Sequence, residues 1–233
     1  MKIKLLIIML TSILLFSSCV KTPEPEEESP VRFSILGDSY STFEGYVSPE
    51  TNDVWVYYEN IGLNSVSQTW WWQVMEKTGW TLEKNNSFSG SLVCNMDFGN
   101  YYGAHSFLRR MNDLGNPDVI LVFGGTNDVW DEAPIGEYVY ADWTESELCT
   151  FRPAMACLLD GLKTQYPKAK VYFLLDLDLD EAFIASVHRI CRHFDVDCID
   201  LYDITKEWDH PNVTGMREIA AQVIEALALD DGV

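Results

Sequence analysis

A serine, a glycine-led loop, an Asn-Asp pair and a late histidine recur in this chain in an order that suits acyl chemistry. Gly37-Asp38-Ser39-Tyr40 directly follows the apolar run Val31–Leu36. A short β-type run ending in such a turn presents a serine hydroxyl at the carboxyl edge of a sheet, where open α/β folds build their sites. To act as a nucleophile that serine needs a base, a group that orients the base, and donors for an oxyanion. Candidates follow in order: Asn86-Ser87-Phe88-Ser89-Gly90, then Gly124-Gly125-Thr126-Asn127-Asp128, then His210-Pro211-Asn212. Each is bland alone. Gly-Asp-Ser is commonly a turn, Asn127-Asp128 a helix cap, and His210 a surface histidine.

The elements between these segments decide whether they can meet. Apolar runs predict strands at Val31–Leu36, Thr81–Asn85, Asp118–Phe123, Lys170–Leu175 and Asp197–Leu201. Helical spacing predicts helices at Thr69–Gly79, Ala104–Asn112, Glu145–Tyr166, Glu181–Phe194 and Thr214–Leu229, the last capped by Asn212 or Thr214. Strands alternating with helices signal βαβ units and a parallel sheet. The runs VILVF and VYFLL are apolar almost throughout, as strands buried on both faces are. In a parallel sheet the serine, glycine, asparagine and histidine segments all leave one carboxyl edge. Two long connections, Tyr40–Gln68 and Thr126–Thr144, leave that edge too.

With these motifs in this order, residues 31–229 resemble the SGNH (GDSL) hydrolases. That resemblance implies a flavodoxin-like three-layer sandwich, a central five-stranded parallel sheet with helices on both faces. It also implies serine esterase activity, with Ser39 as nucleophile and His210 as base. The oxyanion hole would be the backbone N–H groups of Ser39 and Gly90 and the Asn127 side-chain amide. Only glycine lets the chain near position 90 approach a substrate in an unusual φ region. Pro211 restricts His210 to an extended conformation. One position departs from the family pattern: an aspartate usually stands three residues before the histidine, and here that residue is Glu207. Glu207 is the first choice for the orienting acid. Asp209, Asp203, or a backbone carbonyl in place of any acid remain open.

Aromatic residues crowd both long connections: Tyr40, Phe43, Tyr46, Trp55, Tyr57, Tyr58 and Trp70–Trp72 around the first, Trp130, Tyr138, Tyr140 and Trp143 in the second. Some belong to the core. The rest suit stacking on sugar rings, and equally an acyl chain. The expected substrate is a small-molecule or glycan ester, with acetyl groups on carbohydrate foremost. The rivals are a lipase or thioesterase for longer chains and a non-catalytic glycan-binding protein on the same scaffold.

The remaining features bound the setting. The 233-residue chain fits one α/β domain after its leader, and its net charge of −20 argues against nucleic-acid partners. Met1–Lys4 is a basic start, Leu5–Phe16 is apolar, and Ser17-Ser18-Cys19 resembles a lipoprotein processing site. Residues 1–18 are therefore expected to be a signal peptide and Cys19 the lipidated residue. Residues 19–30 would be an acidic tether, and residues 31–233 the hydrolase domain. Membrane contact would come only through that anchor, on a bacterial, outer-type membrane facing the periplasm or the cell surface. Cys94, Cys149, Cys157, Cys191 and Cys198 follow, an odd number without CxxC spacing. Cys191 and Cys198 are a candidate disulfide or two free thiols. No metal and no organic cofactor is expected.

Overall fold

The computed structural model describes residues 29–47, 62–96 and 103–230. The expected signal peptide, Cys19, most of the tether, and Trp55, Tyr57 and Tyr58 lie outside the described residues. Five strands, β1 (Arg32–Gly37), β2 (Thr81–Ser87), β3 (Val119–Phe123), β4 (Lys170–Asp176) and β5 (Asp197–Leu201), form one sheet in the order β2-β1-β3-β4-β5. All neighbouring pairs are parallel. This is the expected five-stranded α/β sandwich.

Alternation along the strands divides the core between the sheet's two faces. Ile120 and Val122 of β3, with Val171, Phe173 and Leu175 of β4, pack into one cluster. That cluster includes residues of α2 (Phe107–Arg110), α4 (Phe151–Gln165) and α5 (Glu181–Phe194). Val119, Leu121 and Phe123, with Tyr172 and Leu174, pack into the other, against α1 (Trp70–Thr78) and α6 (Val213–Asp230). Both faces are therefore covered, which is why the central strands read as unbroken apolar runs.

The α5 helix has the expected bounds, whereas α2 and α4 start later than expected, because their first amides are used elsewhere. The α2 segment is broken by Ser106: the Phe107 amide bonds the Leu92 carbonyl at 2.9 Å and the Ser106 hydroxyl bonds Asn95 at 2.5 Å. Only a 3-10 turn at Gly103–His105 precedes it. Helix α4 begins at Phe151 rather than Glu145, because the amides of Phe151 and Arg152 bond the carbonyls of Pro134 and Ile135, both at 2.9 Å. Between the two expected caps of α6, Asn212 takes the role, accepting from the amides of Thr214 and Gly215. Two elements escaped the sequence reading: a short helix α3 (Thr126–Trp130), and a hairpin of β6 (Lys206–Glu207) and β7 (His210–Pro211). Both carry residues of the site.

Gly124 joins β3 to α3, and a Cβ there would lie 2.3 Å from the ring of the fully buried Phe107. Gly124→Ala is expected to destabilise the fold by about 1–3 kcal/mol through overpacking. A lower urea midpoint at unchanged m-value would show it.

Candidate active site

Ser39 starts a 3-10 turn (Ser39–Ser41) at the end of β1, where the buried Asp38 carboxylate accepts the Tyr40 amide at 3.0 Å. The Ser39 carbonyl is held by the amide and hydroxyl of Thr42, at 3.2 and 3.0 Å. The turn thus fixes the serine backbone before any substrate arrives. Ser39 Oγ lies 3.0 Å from His210 Nε2. His210 Nδ1 lies 3.0 Å from the Trp208 carbonyl oxygen. A carbonyl can only accept, so Nδ1 carries the proton and Nε2 presents its lone pair to the serine hydroxyl. The tautomer follows from the hydrogen-bond pattern.

The expectation that Glu207 orients the histidine is corrected here. Glu207 pairs with His210 across the hairpin but stays exposed, and Nδ1 faces the main chain instead. Trp208 and Asp209 connect β6 to β7 with φ of 53° and 61°, the two left-handed residues of a type I′ connection. This conformation turns the Trp208 carbonyl toward the ring. It costs roughly 1–2 kcal/mol for a residue as bulky as tryptophan. Asp209 contributes through space, raising the histidine's affinity for a proton, while its carbonyl serves elsewhere and accepts the Tyr40 hydroxyl at 2.7 Å. Tyr40 also meets the His210 ring edge-on, with centroids 5.3 Å apart. Asp203, the third acid considered, lies between β5 and β6, and the Nδ1 hydrogen bond goes to Trp208 rather than to it.

His210 is held below the ordinary histidine range, first by burial. The Trp208 carbonyl and the Asp209 charge oppose that shift, while Lys206 adds to it. Lys206 itself is anchored by Asp176 at 2.7 Å and Asp178 at 3.1 Å, with its ammonium 6.0 Å from the Tyr40 ring centroid. The acid-leucine run after β4 thus pins the histidine hairpin, while its last member, Asp180, stands at the N-cap of α5.

Asn127 enters on α3, whose preceding Gly125 has φ 99°, a conformation suited to glycine. The Asn127 amide donates to the Ser91 carbonyl at 3.0 Å, which orients it. Gly90 sits in a turn closed by the Ser91 amide on the Phe88 carbonyl, with φ 75°. The residue after Asn127, Asp128, is buried and accepts the amides of Val93 and Cys94 at 2.8 and 3.2 Å, so it folds the 91–94 loop. Burial pushes its carboxyl up to about 6. Cys94 is buried within that loop, and burial pushes its thiol far up as well.

The residue that sequence reasoning missed is Arg110. Its buried guanidinium donates to the carbonyls of Gly37 (3.1 Å), His105 (2.8 Å) and Asn86, and to the Ser91 hydroxyl (2.9 Å). It also lies 4.9 Å from the Phe107 ring centroid. One residue thus ties the serine strand, the glycine loop and the residue that orients Asn127. Burial pushes the guanidinium down and Asp38 pulls it back; an arginine starts so high that it keeps its charge. Phe107 and Arg110, three apart and so on one face of a short helix, were the only local signal that this arginine lies with the core.

The sequence profile described as GDSL-like Lipase/Acylhydrolase matches residues 31–227. Among solved structures, one described as a GDSL-like lipase from Bacteroides ovatus is 43% identical, covers 87% of this chain and 100% of its own, and superposes with a TM-score of 0.82. Its counterpart from Bacteroides uniformis is 44% identical, with coverage of 87% and 97% and a TM-score of 0.81. A family two carbohydrate esterase from Clostridium thermocellum, solved with cellohexaose, shares the fold at 13% identity, with coverage of 88% and 66% and a TM-score of 0.61. None of the curated proteins is similar enough to match.

Because Nδ1 leans on a carbonyl, Glu207→Gln is expected to leave kcat/KM within about 2-fold of the parent. Tyr40→Phe, which frees the Asp209 carbonyl, is expected to lower it about 2- to 10-fold, the worth of one neutral hydrogen bond. Steady-state kinetics on p-nitrophenyl acetate would rank them. A larger loss from Glu207→Gln would restore the glutamate as the orienting acid.

Proposed function

The chain belongs to the GDSL-like lipase/acylhydrolase family, and on that premise we propose that it is a serine esterase removing small acyl groups, acetyl foremost, from carbohydrate. The observation that carries the mechanism is the contact of 3.0 Å between Ser39 Oγ and a histidine whose other nitrogen is already committed to a carbonyl. In the proposed reaction the serine proton passes to His210 Nε2 as Oγ bonds the ester carbonyl carbon. The carbonyl electron pair moves onto oxygen, facing the amides of Ser39 and Gly90 and the side-chain N–H of Asn127. Collapse breaks the ester C–O bond, and His210 returns the proton to the departing sugar oxygen. Water, deprotonated by the same histidine, then releases the acyl group and regenerates Ser39.

The substrate class rests on the rim. Trp130 is 45% exposed, with its ring centroid 5.8 Å from that of His210, and Trp208 is 81% exposed on the adjoining turn. A flat ring beside a base binds the face of a sugar while the ester hangs toward the serine. The same rim presented from a lipid-anchored N-terminus at Cys19 would work on extracytoplasmic glycans. No helix among the described residues is long and apolar enough to cross a membrane.

Ser39→Ala and His210→Ala are expected to cut turnover about 10⁴-fold or more, and Asn127→Ala about 10²- to 10³-fold. Acetate release from p-nitrophenyl acetate and a panel of acetylated glycans would measure all three. Turnover surviving in Ser39→Ala would overturn the mechanism, and faster release of long acyl chains would overturn the substrate reading. The pH profile is a separate check. Since burial lowers the pKa of His210, the neutral base persists further into acid, so the acid limb of kcat/KM is expected below the ordinary histidine value of about 6.5.

A further inference from the structure

Away from the serine, α5 meets the edge strand β5 across an unusual set of side chains. Cys198 and Asp200 alternate on β5 in register with Phe173 and Leu175 of β4, so they point to the face those apolar residues fill. On the facing helix stand His188 and Cys191, three residues apart and hence on one side. His188 Nε2 lies 2.7 Å from Asp200 Oδ1, and Cys198 Sγ lies 3.7 Å from the same oxygen. The ligating atoms of His188, Cys198 and Asp200 all fall within 4.8 Å of one another. Cys191, one helical turn from His188, is buried beside them with a free thiol.

We propose that His188, Cys198 and Asp200 form a zinc site that staples α5 to β5. One imidazole nitrogen, one thiolate and one carboxylate are the donor types that tetrahedral zinc takes. Bonds of about 2.0–2.3 Å from a shared tetrahedral centre place such donors about 3.3–3.6 Å apart. The sulfur-to-oxygen spacing is already close to that, and the His188–Asp200 contact needs only to open as zinc replaces its shared proton. The Cys198 thiol proton goes to solvent, and the imidazole proton moves to Nδ1. His188 and Asp200 are 34% and 42% exposed, which gives the ion a route in and leaves the fourth position to water. The cysteines lack the short spacing of familiar zinc motifs because a helix and a strand, rather than one loop, bring the ligands together.

The staple would hold the edge strand whose end, through residues 202–205, leads into the hairpin carrying His210. Zinc chloride titrated into the reduced full chain, against a chromophoric chelator, is expected to show one site. Cobalt is expected to give thiolate charge-transfer and tetrahedral visible bands. Cys198→Ser should abolish the charge-transfer band and weaken zinc about 100-fold or more, at or above the cost of losing an outer-shell partner. Asp200→Asn, which keeps a hydrogen bond to His188 and so the local fold, should weaken zinc as well. Cys149→Ser, whose thiol bonds other carbonyls, should change nothing. Absence of stoichiometric binding, or unchanged affinity in both ligand variants, would overturn the site. So would recovery of a Cys191–Cys198 disulfide from the protein as isolated.

Discussion

The buried guanidinium of Arg110 is the interaction on which the candidate site depends. A parallel sheet ends in carbonyls that no further strand can satisfy, and β1 and β2 end where the serine and the glycine loop begin. Arg110 caps the Gly37 and Asn86 carbonyls there and reaches the Ser91 hydroxyl with the same planar head. Each such bond from a charged donor is worth about 1.5–3 kcal/mol; at Gly37 the arginine adds a second donor to a carbonyl that also accepts the Phe88 amide at 3.1 Å. Lysine could not replace it, because three divergent acceptors need a flat fork rather than a point charge. Three segments distant in sequence are therefore held at fixed separations by one buried residue.

The histidine is held by a second, largely separate network. Its hairpin is tied to the serine turn through Tyr40, to the end of β4 through Lys206, and to α6 through Asn212. Tyr40 follows Ser39 directly, so the residue that braces the His210 hairpin is fixed by the turn that presents the serine. That coupling makes the contact between Ser39 and His210 a property of two loops acting together.

Much of this was legible in the chain. The central strands were readable because burial on both faces removes polar residues from them, as in VILVF. The motif residues were readable because βα connections in a parallel sheet leave one edge. Helix starts were less legible: the amides of Phe107, Phe151 and Arg152 go to loop carbonyls far along the chain, which no local pattern announces. The orienting group stayed among several open alternatives, with an acid placed first, for a deeper reason. A search for an acid near the histidine finds Glu207, Asp209 and Asp203, yet the acceptor is a carbonyl, which every residue possesses. Only the left-handed pair at Trp208 and Asp209 selects it, and Trp208 does not advertise that conformation. Arg110 was obscured likewise, since one arginine in an acidic chain reads as solvated surface.

A carbonyl as the histidine's partner separates the information for that contact from side-chain identity. A single substitution can remove a carboxylate, but none can remove a main-chain oxygen. Residue 207 is therefore free to drift in charge, size and polarity among related sequences, provided the turn keeps its hand. Loss of the customary aspartate in such a lineage is weak evidence of lost activity. The vulnerability moves to backbone conformation, where a proline at 208 would do what no change of charge could.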